Sequence, residues 1–166
     1  DRRYPSEVRF SSNLEEDIQR RDFTINALSL RLPECKILDF AGGITDLQAK
    51  LIRAIGDPQQ RFTEDALRIL RGLRFASRLG FTIEPSTLHG MQQEVHGLDV
   101  IAAERIREEW IKLLKGDYLE YALPHLPIIG GVVYIVPISN KAVQKLTNHE
   151  LHNFAMRCKR YLPMTK

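Results

Sequence analysis

Between Arg61 and Phe81 the chain reads RFTEDALRILRGLRFASRLGF, and its apolar residues recur at helical spacing. With about 100° of rotation per residue, Ala66, Ile69, Leu70, Leu73 and Ala76 form one stripe. Glu64, Asp65, Arg68, Arg71 and Arg78 fall on the opposite side, with Arg74 at its margin. The stripe is expected to face a core, and the charged side a ligand or water. The same periodicity predicts helices over about 63–79, 85–96 and 102–115, and an earlier one from Leu14 to about Leu30. Glu7–Phe10, Lys36–Phe40 and Leu51–Ile55 read as short strands, the last two in one sheet. Gly56-Asp57-Pro58 is a turn signal, and a domain boundary is expected near residue 57. The fold class these elements predict is α+β and mostly helical.

From Gly116 onward the pattern changes. Prolines at 124, 127 and 137, a Gly-Gly break and the run Val132–Val136 interrupt any straight helix. Helices are expected at both ends of this zone, including Lys141–Tyr161, with the apolar middle buried. Lys145, Arg157, Lys159 and Arg160 read first as a solvated basic face of that last helix, with contact to RNA phosphates as the alternative.

At 166 residues, 43% hydrophobic and 27% charged, the chain has the composition of a soluble globular protein of one compact domain or two small ones. No apolar run approaches the ~18 residues of a membrane span, and no secretory signal opens the chain. The formal charge of +3 agrees with an RNA partner, though the arginines of 61–78 say more than the total. Cys35 and Cys158 lack ligand-spaced partners, which leaves reduced thiols in a cytoplasmic protein as the default. His149 and His152 share a predicted helical face but have no third ligand, so they read as surface histidines.

Asp65 and Arg68 stand three apart, as neighbours on a helix. A carboxylate only accepts hydrogen bonds and a guanidinium only donates them, so together they fit a base edge carrying an exocyclic amino group beside a ring acceptor. Cytosine and adenine have that edge. Uracil and guanine would each leave a buried group unpaired, at about 1–3 kcal/mol. Taken alone, the pair reads first as an intrahelical contact on a solvated face, worth about 0.2–0.5 kcal/mol. Arg21 offers a planar fork for phosphate oxygens and Asp22 an acceptor for a ribose hydroxyl; the alternative is a helical charge cluster with Glu15, Glu16 and Asp17. Ser12 and Glu15 spell a capping box for that helix.

Four segments in order, LEEDIQRRDFTINAL, LDFAGGITDLQAKLIRAIGDPQQRF, EDALRILR and AAERIREEWIKLL, resemble the bacterial-type class II tRNA nucleotidyltransferase and poly(A) polymerase family, which includes CCA-adding enzymes. The match covers about residues 4–115. It implies that Arg20, Arg21 and Asp22 contact the sugar and phosphates of a nucleotide, and that Asp39, Gly42, Gly43 and Asp46 form a hinge between head and neck. Glu64, Asp65 and Arg68 match the motif whose Asp and Arg act as a protein template for CTP and ATP. Arg71 and Arg74 match further nucleotide contacts, and Glu104, Arg105, Glu108 and Glu109 a neck motif that buttresses the site. The expected organisation is therefore the end of a head over 1–57, a neck over 58–116 and a divergent body over 117–166.

The resemblance also implies a reaction in which CMP and AMP pass from CTP and ATP to a tRNA 3′ hydroxyl. Mg²⁺ would be held there by an Asp-x-Asp pair that this chain lacks, so the chain is expected to be a piece of the enzyme. EDALRILR favours CCA addition over the EDPVRMLR spelling of poly(A) polymerases; CC-only and A-only addition, and a non-catalytic RNA-binding remnant, stay open.

Overall fold

The computed structural model describes residues 14–126. The expected strand Glu7–Phe10, the Ser12 capping box, helix Lys141–Tyr161 with its basic residues, His149, His152 and Cys158 lie outside them. The described part is α+β and mostly helical, in the order α1 (Leu14–Gln19), β1 (Ser29–Arg31), β2 (Lys36–Leu38), α2 (Gly43–Gln48), β3 (Leu51–Ile52), α3 (Pro58–Glu64), α4 (Leu67–Leu79), β4 (Thr82–Ile83), α5 (Pro85–Gln93) and α6 (Ala103–Leu114).

Helix α4 lies against α6 and is the centre of the fold. Its apolar stripe is buried as the spacing predicts: Ile69, Leu70, Leu73 and Ala76 have no exposed surface and Ala66 is also buried. Around them pack Phe23, Ile52, Phe62, Met91, Trp110 and Leu113, so segments on both sides of residue 57 share one core. Each fully buried Leu, Ile or Phe stabilises the fold by about 1.5–3 kcal/mol. Phe23 also meets Phe75 edge-on, with ring centroids 5.9 Å apart.

Local chemistry sets the helix starts. Asp57 caps α3 by accepting from the Gln59 amide at 3.0 Å, with Pro58 at the first helical position. Glu84 does the same for α5, accepting from the Thr87 amide at 2.7 Å ahead of Pro85. Burial acts to raise the Glu84 pKa, but hydrogen bonds from Ser86 and from the amide and hydroxyl of Thr87 outweigh it and hold it at about 2.

Several expected elements differ. The helix from Leu14 ends at Gln19; Phe23 takes an extended conformation to bridge Ala54, and Thr24–Asn26 forms a 3₁₀ turn before β1. The Asp22 carboxylate accepts from its neighbour Phe23's amide at 2.9 Å, a local bond that competes with helix. The two strands expected to share a sheet do not: β2 pairs antiparallel with β1, whereas β3 pairs in parallel with β4, a strand the sequence reading did not contain. The expected helix 63–79 is two helices, α3 and α4, broken at Asp65. Likewise 85–96 ends at Gln93 and continues as a 3₁₀ segment over Val95–Val100.

Candidate nucleotide site

The break at Asp65 builds the site. Asp65 is extended, with φ −151° and ψ 99°. Its Oδ1 accepts from the Leu67 amide at 3.1 Å and its carbonyl from the Arg68 amide at 3.0 Å, so it starts α4 in place of continuing α3. Asp65 and Arg68 are therefore not helical neighbours as the spacing predicts. They nevertheless line one cavity, together with Arg20, Arg21, Asp22, Asn26, Leu67, Arg71 and Arg105.

This cavity has a volume of about 320 Å³, within the roughly 300–1,000 Å³ of small-ligand sites. Five arginines and two aspartates line it, a net excess of three positive charges. That balance attracts anionic ligands.

Among the described residues no hydrogen bond joins the Asp65 and Arg68 side chains; each is held by other groups. Arg68 Nη1 donates to the Arg61 carbonyl at 3.0 Å and to Glu64 at 2.9 Å, and Nη2 donates to the Arg20 carbonyl at 3.0 Å. Asp65 Oδ2 accepts from Arg105 Nη2 at 3.4 Å. The acceptor and donor are thus held by separate partners in the lining of one cavity.

Asp22 lines the same cavity. Two backbone bonds place its segment, from the Thr24 amide to the Arg53 carbonyl at 3.0 Å and from the Ile55 amide to the Asp22 carbonyl at 3.1 Å. The Asp22 side chain is buried and paired with Arg71, with Nη2 2.6 Å from Oδ2. Arg21 is exposed and bonds to Asp17 and to the Asn26 carbonyl.

The remaining expected residues stand elsewhere. Arg74 does not line the cavity; it pairs with buried Glu109 at 3.2 Å between α4 and α6, where burial lowers its pKa and Glu109 opposes the shift. Glu64 anchors Arg61 and Arg68. Arg105 reaches the site, while Glu104 and Glu108 are exposed and lie outside its lining. Arg78 is exposed and also outside it.

Asp39 accepts from the amides of Ala41, Gly43 and Ile44 at 3.2, 2.8 and 2.9 Å. Its burial raises the carboxyl pKa, but these amides lower it overall. Gly42 has φ +77°, a conformation that L side chains rarely adopt. At Gly43 a Cβ would strike the Thr24 carbonyl. Asp46, buried, accepts from the Thr24 hydroxyl at 2.7 Å and from Arg53 Nε at 3.1 Å. Asp39 thus holds the amides at the start of α2, and Asp46 ties that helix to Thr24 and Arg53.

Residues 1–53 match the family described as "Poly A polymerase head domain", and residues 80–130 match "Probable RNA and SrmB- binding site of polymerase A". The chain is 51% identical over 123 residues to a CCA-adding enzyme of Limosilactobacillus fermentum. The chain belongs to the class II tRNA nucleotidyltransferase and poly(A) polymerase family. That alignment covers 74% of this chain and 30% of the relative, so the chain spans about a third of the curated relatives' length. Among solved structures of the family, the Bacillus stearothermophilus CCA-adding enzyme in complex with CTP superposes with a TM-score of 0.73 at 39% identity, over 81% of this chain and 34% of that one. The Thermotoga maritima CCA-adding enzyme complexed with tRNA gives 0.66 at 32% identity, over 75% and 31%.

The sequence reading did not include Asn26 in the site. Its signal was present: it stands four residues after Asp22, inside the RDFTINA segment.

Proposed function

We propose that this chain supplies the nucleotide-selecting part of a CCA-adding tRNA nucleotidyltransferase, which transfers CMP and AMP from CTP and ATP to a tRNA 3′ hydroxyl and releases pyrophosphate. The observation that carries this reading is the separate anchoring of Asp65 and Arg68 in the lining of an arginine-rich cavity. Asp65 accepts from the exocyclic amino group of cytosine or adenine, and Arg68 donates to the adjacent ring acceptor. Arg21 and Arg71 face the phosphates, where bidentate donors suit phosphate oxygens. The names of the relatives, and the CTP and tRNA complexes among the similar structures, support the same activity.

In this reading residues 1–57 belong to the head, 58–116 to the neck and 117–166 to a divergent body. Asp39, Gly42, Gly43 and Asp46 serve as the pivot between the first two. Arg74 acts through Glu109 as a brace between neck helices. The protein works in the cytoplasm on tRNA; among the described residues no helix is long and apolar enough to cross a membrane. Also among the described residues, no group of three or more His, Cys, Asp or Glu is placed to hold a metal ion, so none is assigned to Mg²⁺.

Titrating the chain with CTP, ATP, UTP and GTP tests the reading. CTP and ATP should bind roughly tenfold or more tightly than UTP and GTP, the discrimination expected from leaving one buried polar group unpaired. Asp65→Ala should abolish that preference while weakening overall binding less. Unchanged selectivity in this variant dismisses the template role.

A further inference from the structure

The acceptor positions of the Asp22 carboxylate are already taken. Oδ1 accepts from the Phe23 amide at 2.9 Å and from Asn26 Nδ2 at 3.1 Å. Oδ2 accepts from Arg71 Nε at 2.7 Å and Nη2 at 2.6 Å. An ionised carboxylate has about four lone-pair sites, so a ribose hydroxyl finds none free on Asp22, whose side chain is only 5% exposed.

Asn26 is in the opposite situation. Because a carboxylate only accepts, the Asn26 amide must turn its NH₂ towards Asp22, which leaves Oδ1 pointing away as an acceptor. Asn26 is exposed and lines the cavity, and among the described residues no donor meets that oxygen. The residue is held in place by its own turn, with its amide bonded to the Phe23 carbonyl at 3.0 Å and its carbonyl bonded by Arg21 at 3.2 Å.

We propose that Asn26 Oδ1, oriented by Asp22, accepts the hydrogen bond from a ribose hydroxyl of the nucleotide in this cavity. Asp22 is then a positioning residue, which sets both the Asn26 amide and the Arg71 guanidinium. The assignment rests on the nucleotide reading of the site and moves the sugar contact from Asp22 to a neighbour four residues on.

The test is titration of the native chain, Asn26→Ala and Asp65→Ala with CTP, UTP, 2′-deoxy-CTP and 3′-deoxy-CTP. The native chain should prefer CTP over one of the two deoxy analogues by about five- to tenfold, the scale of one neutral hydrogen bond; which analogue suffers identifies the hydroxyl. Asn26→Ala should bind CTP no better than that analogue, with the analogue's own affinity unchanged. Equal weakening of all four nucleotides would mean a purely structural Asn26 and overturn the proposal, as would a retained ribose preference. In either case, loss of CTP-over-UTP preference in Asp65→Ala would leave the base-reading site standing. A native chain that binds no CTP removes both. Circular dichroism checks the fold of each variant, and Asn26→Leu, of similar shape and without an acceptor, carries the same expectation if Asn26→Ala does not fold.

Discussion

Residues 14–57 are built from helices of six residues and strands of two or three, whereas α4 and α6 beyond residue 57 run to 13 and 12. The first region adds Phe23, Ile52 and Ala54 to the shared core, is tied by side chains bonded to backbone at Asp39 and Asp22, and leaves Leu30, Leu32 and Ile37 at least half exposed. The second is held by buried apolar contact between α4 and α6. The candidate site spans the two: the first region contributes the buried acceptor Asp22 and the second the donors Arg68, Arg71 and Arg105. A site made in this way depends on both kinds of cohesion, and each can be weakened separately.

The sharpest break is expected in the helical region. Arg74→Ala leaves buried Glu109 with Lys112 as its one remaining cation among the described residues; losing a partner of a buried pair costs about 3–5 kcal/mol where the charge is left unpaired, and the lower end of that range is expected here. Chemical denaturation should show that loss, with the CTP-over-UTP preference kept at temperatures where the variant is folded. Next comes Leu73→Ala, fully buried in α4, expected to destabilise by about 2–5 kcal/mol. The same truncation at Leu32, 70% exposed, should stay within about 0.5 kcal/mol. Equal effects at the two leucines would erase the contrast between the regions.

Smaller effects probe the caps. Asp39→Ala removes the acceptor for three amides at the start of α2 and should cost about 1 kcal/mol in thermal unfolding. Glu84 provides a pH test. Its carboxyl is held at about 2, below the ordinary value of 4.5, so the unfolded chain takes up the proton first as acid is added. Its stabilisation is full above pH 4.5 and fades as the pH falls towards 2. Glu84→Gln should flatten the unfolding profile across that window; an unaltered profile would place the acid sensitivity elsewhere.

The apolar stripe of α4 was legible because helical periodicity and burial are local properties, and Ile69, Leu70, Leu73 and Ala76 are buried as read. Helices α5 and α6 were legible for the same reason, within a few residues at their ends. The break at Asp65 was not, although its signal is visible in retrospect: Asp is a strong helix-starting residue, and here its side chain takes the Leu67 amide. The parallel pairing of β3 with β4 escaped the reading because two-residue strands have no periodicity to detect. Arg71 and Arg74 looked alike in sequence, yet one reaches Asp22 and the other Glu109; only the partner helices distinguish them.

By itself the sequence determined the fold class, the buried face of α4, and the presence of an acid and an arginine three residues apart ahead of that face, because residue types and spacing carry that information. Tertiary structure alone decided that Asp65 leaves the helix, that its carboxylate is steadied by Arg105 from α6, and that Asp22 is saturated while Asn26 Oδ1 meets no donor among the described residues. Those outcomes depend on which groups fill each lone pair and each donor. Their partners lie up to 49 residues apart in the chain, beyond the reach of any local pattern.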